Sequence, residues 1–170
     1  MNSLVGNPTI SVGTIFGGMK TNVVPDLCKI TVDRRLLPRE DAEQAKQEID
    51  LMLQKLAKED PDLEYELDIK LCREGAEIGS NEKIVKLSVE ACREVLRRDI
   101  EAGGFTATAD MAFLVNEGKI PSILLGPGKL SNAHIVDEYL DISELEDATK
   151  IYAVLAAKSI FSLSDLAVAV

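Results

Sequence analysis

His134 is the only histidine in the chain, and it stands three and four residues ahead of the carboxylates Asp137 and Glu138. An imidazole with nearby carboxylates can hold a metal or move a proton. A catalytic zinc, however, takes three protein ligands, and one His among scattered acids does not spell out such a site. The bland alternative for His134 is a surface loop histidine. The second group able to do chemistry is Asn22 with the pair Arg34-Arg35. An Arg on a strand can fork onto a carboxylate through two parallel hydrogen bonds, which suits an acidic or amino-acid ligand. The alternative there is a solvated Arg paired with Glu40 or Asp33. Other chemistries find no support: there is no G-x-S-x-G elbow, and Gly126-Pro127-Gly128 lacks the Lys-Ser/Thr of a phosphate loop.

These residues need elements to carry them. Thr9 to Ile15 alternates around Ile10, Val12 and Ile15 and predicts a strand that Gly17-Gly18 breaks. Cys28 to Leu36 predicts a second, with Cys28, Ile30, Val32 and Arg34 on one face and Asp33 and Arg35 on the other. Asp41 with Gln44 forms a capping-box pattern ahead of a helix marked by Ala42, Ala45, Ile49, Leu53 and Leu56 and ending before Pro61. Leu63 to Leu71 alternates again and predicts a third strand. The first lobe thus reads as a half-buried antiparallel sheet with one helix on its face, and Arg73 to Ser80 is the expected boundary.

Beyond it, Ile84, Leu87, Ala91, Val95 and Leu96 predict an amphipathic helix, and a short helix follows around Asp110 to Asn116. Ile120 to Gly126 is a continuous apolar run that suits a strand covered on both faces. An irregular loop carrying His134 then leads to a final helix through Leu145, Ala148, Tyr152 and Leu155, with Ser143 and Glu146 as its capping box. The fold class is α/β: an α+β lobe followed by part of an α/β layered domain. A single apolar strand does not make a sheet, so the second lobe reads as the end of a larger domain.

Composition narrows the partners. The 170 residues carry 19 basic and 29 acidic side chains, a net charge of −10. Such a chain is a poor ligand for nucleic-acid phosphates or an anionic membrane. The apolar tail Leu166 to Val170 is too short to span a bilayer. Cys28, Cys72 and Cys92 are far apart and odd in number, and the expectation is three buried free thiols in the cytosol.

Two blocks of residues carry a family resemblance. GTIFGGMKTNVVPDLCKITVDRRLLPRE (Gly13 to Glu40) and LLGPGKLSNAHIVDEYLDISEL (Leu124 to Leu145) resemble the lid domain and the C-terminal signature of one enzyme family. It comprises the zinc-dependent acetylornithine deacetylases, succinyl-diaminopimelate desuccinylases, aminoacylases and carboxypeptidase G enzymes. The resemblance implies a cytoplasmic hydrolase of N-acyl amino acids or small peptides, most like acetylornithine deacetylase, that uses two zinc or cobalt ions and dimerises through its lid. It makes residues 1–75 part of the lid or dimerisation domain and 76–170 the C-terminal part of the catalytic domain. His134 corresponds to a metal ligand, Asn22 and Arg35 to residues that hold the substrate carboxylate, and Thr108 to a pocket-lining residue. Phe16 stands where many relatives have His, and Ile135-Val136 replaces a commoner Thr/Gln-Pro. Family members are longer, and their N-terminal half supplies a His-x-Asp ligand pair, a Glu-Glu containing the general base, and another carboxylate ligand. None of these is in this sequence, so the chain resembles a truncated portion expected to be inactive alone, with no catalytic base of its own. The competing class is a non-enzymatic α/β interaction or dimerisation module.

Overall fold

Ile10, Val12 and Ile15 fall on one strand face only because the first strand carries a bulge. The computed structural model describes residues 1–167, and the side chains of residues 1–161; the end of the apolar tail, Val168 to Val170, lies outside the described residues. Strand β1 (Thr9–Gly17) pairs antiparallel with β2 (Cys28–Arg35). Val12 faces Val32 and Thr14 faces Thr31, so Gly13 is an extra residue opposite no partner. That insertion returns Ile15 to the side of Ile10 and Val12. One face of the ribbon therefore carries Ile10, Val12, Ile15, Cys28, Ile30, Val32 and Arg34. The other carries Thr9, Ser11, Thr14, Phe16, Lys29, Thr31, Asp33 and Arg35.

Helix α1 (Ala42–Glu59) begins at Asp41, whose carboxylate accepts the Glu43 N–H at 2.9 Å. The cap closes on Glu43 rather than on the Gln44 of the expected box. Ala45 is buried, and Ile49 and Leu53 are half-buried on the same side. The helix does not lie on the ribbon as the sequence implied. Among the described elements, packing joins only β1 to β2 and helix α2 (Lys83–Leu96) to helix α4 (Ile142–Ala167).

The expected third strand, Leu63 to Leu71, joins no ladder, and the described sheet has two strands. Its expected inward side is kept only in part, for Leu63, Leu67 and Ile69 are half-buried whereas Tyr65 and Leu71 are exposed. The segment meets α1 at Tyr65, whose hydroxyl donates to Asp50 Oδ1 at 2.9 Å. Desolvation and that carboxylate raise the Tyr65 phenol above its ordinary value. A periodicity of two specifies which side chains turn inward; a strand also needs a neighbour's N–H and C=O groups.

The same correction applies to Ile120 to Gly126. It joins no ladder, and Ile120 and Leu124 are about half exposed, so it is not covered on both faces. Around it, α2 and α4 pack through Ala91, Cys92 and Ile151, with Val95, Leu125, Val154 and Leu155 at the margin. A short helix α3 (Met111–Asn116) lies between them in sequence. Helix α4 starts two residues earlier than its expected capping box: Asp141 Oδ1 accepts the Ser143 N–H at 3.2 Å and the Ser143 hydroxyl at 2.9 Å. Asp is the better cap because its carboxylate also meets the positive end of the helix dipole.

The chain divides into two compact units, residues 1–77 with 106–112, and residues 78–105 with 113–170. No described helix is long and apolar enough to cross a membrane.

The three thiols are not all buried. Cys28 and Cys72 are exposed and only Cys92 is buried, where desolvation pushes its thiol above the ordinary range. Since the thiolate is the reactive form, an aromatic disulfide reagent at pH 8 is expected to titrate two thiols at once and the third only after denaturant is added. Three equivalents reacting together in buffer would contradict the packing of Cys92 against α4.

Candidate functional site

Arg35 and Thr108, 73 positions apart in sequence, meet in the first unit: Arg35 Nη1 donates to Thr108 Oγ1 at 3.5 Å. Strand alternation places Arg35 beside Asp33, whose Oδ2 accepts from Arg35 Nε at 2.8 Å. Arg34 leaves the other face and pairs with Glu40 at 3.6 Å. Both ion pairs weighed from the sequence are therefore present, one for each arginine. Neither Asp33 nor Arg35 is deeply desolvated, with 56 % and 52 % of their side chains exposed. The guanidinium is thus accessible to a small anion from solvent.

Asn22 is not part of this group. It lies in the turn closed by Val23 N–H to Lys20 O, in the loop joining Gly17 to Cys28. Arg35 pairs with Thr9 at the opposite end of the ribbon. Seven residue steps separate Cys28 from Arg35, about 24 Å of strand. The ladder carries Asn22 and Arg35 apart within this chain.

The His134 loop belongs to the second unit and is pinned at its root. Tyr152 on α4 donates its hydroxyl to Leu125 O at 2.8 Å, and Gly128 N–H donates to Glu144 Oε2 at 3.1 Å. Gly128 has φ +95°, a conformation that a side chain would strain. His134 itself adopts φ 62° and Asp137 φ 58°, both in the left-handed region that costs a non-glycine residue about 1–2 kcal/mol. The loop holds His134 there partly through Glu138, whose Oε2 accepts the His134 N–H at 2.9 Å. The imidazole is thus displayed on an exposed, locally stapled turn. Glu138 and Glu144 are the residues that sequence reasoning missed as loop-shaping groups. Their only sequence signal is a carboxylate placed so that it can reach back to a strained backbone.

Among the described residues, no group of three or more His, Cys, Asp or Glu side chains is arranged to hold a metal ion. One imidazole gives little binding free energy, because affinity grows with the number of ligands already in place. Calorimetry of the 170-residue chain with zinc is therefore expected to show no submicromolar, stoichiometric binding. A tight 1:1 isotherm would mean a complete site within this sequence. A cleft of about 550 Å³ in the first unit, lined by Met1, Leu37, Arg39, Glu40 and Glu77 among others, contains none of the candidate residues.

Comparison with known proteins places this geometry in a lineage. Over 148 residues the chain is 27 % identical to an acetylornithine deacetylase of Myxococcus xanthus, covering 87 % of this chain and 36 % of that protein. It is 27 % identical over 157 residues to an N-formyl-4-amino-5-aminomethyl-2-methylpyrimidine deformylase of Halalkalibacterium halodurans, covering 85 % and 36 %. The chain thus spans little more than a third of the length of these curated relatives. Its fold matches that of an M20 family metallo-carboxypeptidase from Sulfolobus solfataricus with a TM-score of 0.65 and 20 % identity, over 88 % of this chain and 35 % of that one. The model for one peptidase family matches residues 2–158, which take in the ribbon with Arg35, the Thr108 segment and the His134 loop. The chain belongs to peptidase family M20/M25/M40.

Proposed function

We propose that these residues form the C-terminal portion of a metal-dependent amidohydrolase that cleaves the amide bond of N-acyl amino acids or small peptides. Residues 1–75 are read as part of its lid and 76–170 as the end of its catalytic domain. The observation that carries this reading is the family match across residues 2–158. Arg35 and Thr108 bind the substrate carboxylate, the guanidinium through two parallel hydrogen bonds and the hydroxyl through one. Asn22 stands at the far end of the ribbon, so it serves such a site only in another copy of the lid. That fits a homodimer joined lid to lid.

The described residues do not by themselves fit a pair of zinc or cobalt ions, because no three candidate ligands stand together. His134 contributes one metal ligand, and the remaining ligands and the general base come from outside this sequence. The protein acts in the cytoplasm on this reading, consistent with its acidic surface and unpaired thiols.

The test is to express the reading frame with the coding sequence upstream of it. The product is assayed on N-acetylornithine, related N-acyl amino acids and small peptides with zinc or cobalt. Expected is turnover that His134→Ala abolishes and whose KM rises in Arg35→Lys. The 170 residues alone are expected to give no turnover above a metal-only blank. An upstream sequence without His-x-Asp and Glu-Glu would overturn the hydrolase reading. Turnover by the 170 residues alone, lost in His134→Ala, would show that the site is complete within them.

A further inference from the structure

Asp33 and Arg35 are two positions apart on β2, so their side chains rise from the same polar face of the ribbon. We propose that Asp33 is a positioning residue: its carboxylate tethers the Arg35 guanidinium so that the Nη1/Nη2 fork sits beside Thr108 and receives a ligand carboxylate there. The ligand half of this inference rests on the reading above, in which Arg35 anchors a carboxylate. The tether half does not.

The geometry assigns each edge of the guanidinium. Its five N–H bonds lie in one plane. Asp33 Oδ2 engages the Nε side at 2.8 Å, and Thr108 Oγ1 stands 3.5 Å from Nη1. With Nε engaged, the Nη1/Nη2 fork is the edge that remains for a bidentate carboxylate, and the Thr108 hydroxyl is close enough to add a third hydrogen bond. An untethered arginine at a half-exposed site samples many rotamers and must lose that freedom when a ligand binds. Asp33 removes part of that loss in advance. It also cancels the formal charge of Arg35, so the site selects by the shape of the fork more than by net attraction. A bare cation would take any anion.

The hydroxyls of Thr9, Ser11, Thr14 and Thr31 share this face. None of them is an ionic competitor for the guanidinium. Lys29, the other cation on the face, pairs in register with Phe16 and lies six positions from Arg35 along β2.

Nitrogen-15 NMR of the whole 170-residue chain tests both halves, with the Arg35 Nε–H signal assigned by its loss in Arg35→Lys. Wild type should show a shifted, slowly exchanging Nε–H. Asp33→Ala should abolish that signature, while Asp33→Asn, which keeps an acceptor oxygen and loses the charge, should largely retain it. N-acetyl-L-ornithine should shift the Nε–H and the Thr108 amide, and its carboxamide analogue should not. The Kd should rise about threefold to fivefold in Asp33→Ala and less in Asp33→Asn. An Nε–H unchanged in Asp33→Ala, or acid binding equally tight without Asp33, would overturn the positioning role. A tethered Nε–H in a wild-type chain that binds neither acid nor carboxamide would overturn the carboxylate-anchor reading, and with it the ligand half of this proposal.

Discussion

Val32→Asp, or Ile15→Asp, is expected to turn a self-associating chain into a monomer. The ribbon face that carries Ile10, Val12, Ile15, Ile30 and Val32 is uncovered, and these side chains are 40–69 % exposed. An isolated two-stranded ribbon is at best marginally stable in water. A contiguous aliphatic surface of this kind is an association surface. Its outer strand edges also carry unpaired backbone groups. The net charge of −10 opposes contact between copies but is screened within about 8 Å at physiological salt. Sedimentation at micromolar concentration should therefore show a dimer or larger species for the wild type, favoured by added salt. An aspartate at the centre of the face should remove it. An 18.5 kDa monomer at both low and high salt would show that the face does not associate.

Ile151→Ala is expected to cost about 2–5 kcal/mol of stability. The seam between α2 and α4 is built on small residues, with Ala91 fully buried and Cys92 and Ile151 nearly so. Ile151 is the one large side chain among these three, and how far Val95, Leu125, Val154 and Leu155 around it can close the space sets where in that range the cost falls. A domain's net stability is about 5–15 kcal/mol, and a loss of this size moves a urea midpoint visibly. Circular dichroism at 222 nm against urea measures it. A midpoint unchanged in Ile151→Ala would mean that the seam contributes little to folding.

The helices were legible because each carries an apolar stripe of period 3.6 along its own sequence: Ala42, Ala45, Ile49 and Leu53 on α1, and Ile84, Leu87, Ala91 and Val95 on α2. The two strands β1 and β2 were legible from their period-two alternation, though the bulged register between them was not. Leu63 to Leu71 and Ile120 to Gly126 were not, because a strand is a relation between two segments and one segment's pattern records only its own half. At the start of α4 the expected cap was Ser143, and Asp141 two residues earlier takes the role, its carboxylate meeting the positive end of the helix dipole. Among the candidate residues, the split between Arg34 and Arg35 followed from alternation alone. That Asn22 sits far from Arg35 could be known only once the ladder fixed Gly17 opposite Cys28. The approach of Thr108 to Arg35 across 73 positions leaves no local trace; the family resemblance had nominated Thr108 without saying what it touches.

The bulge at Gly13 gives β1 one residue of slack. A methyl group added at Gly13 would meet Thr31 at 3.7 Å, an ordinary contact, so Ala should be tolerated there. Deleting the residue should be tolerated for a different reason. Val12 would then directly precede Thr14 and still stand opposite Val32, so the ladder would become regular. Ile10 and Val12 would keep the aliphatic side, and Thr9 and Ser11 the side of the guanidinium. One lost codon at this point would straighten the ribbon without turning it inside out.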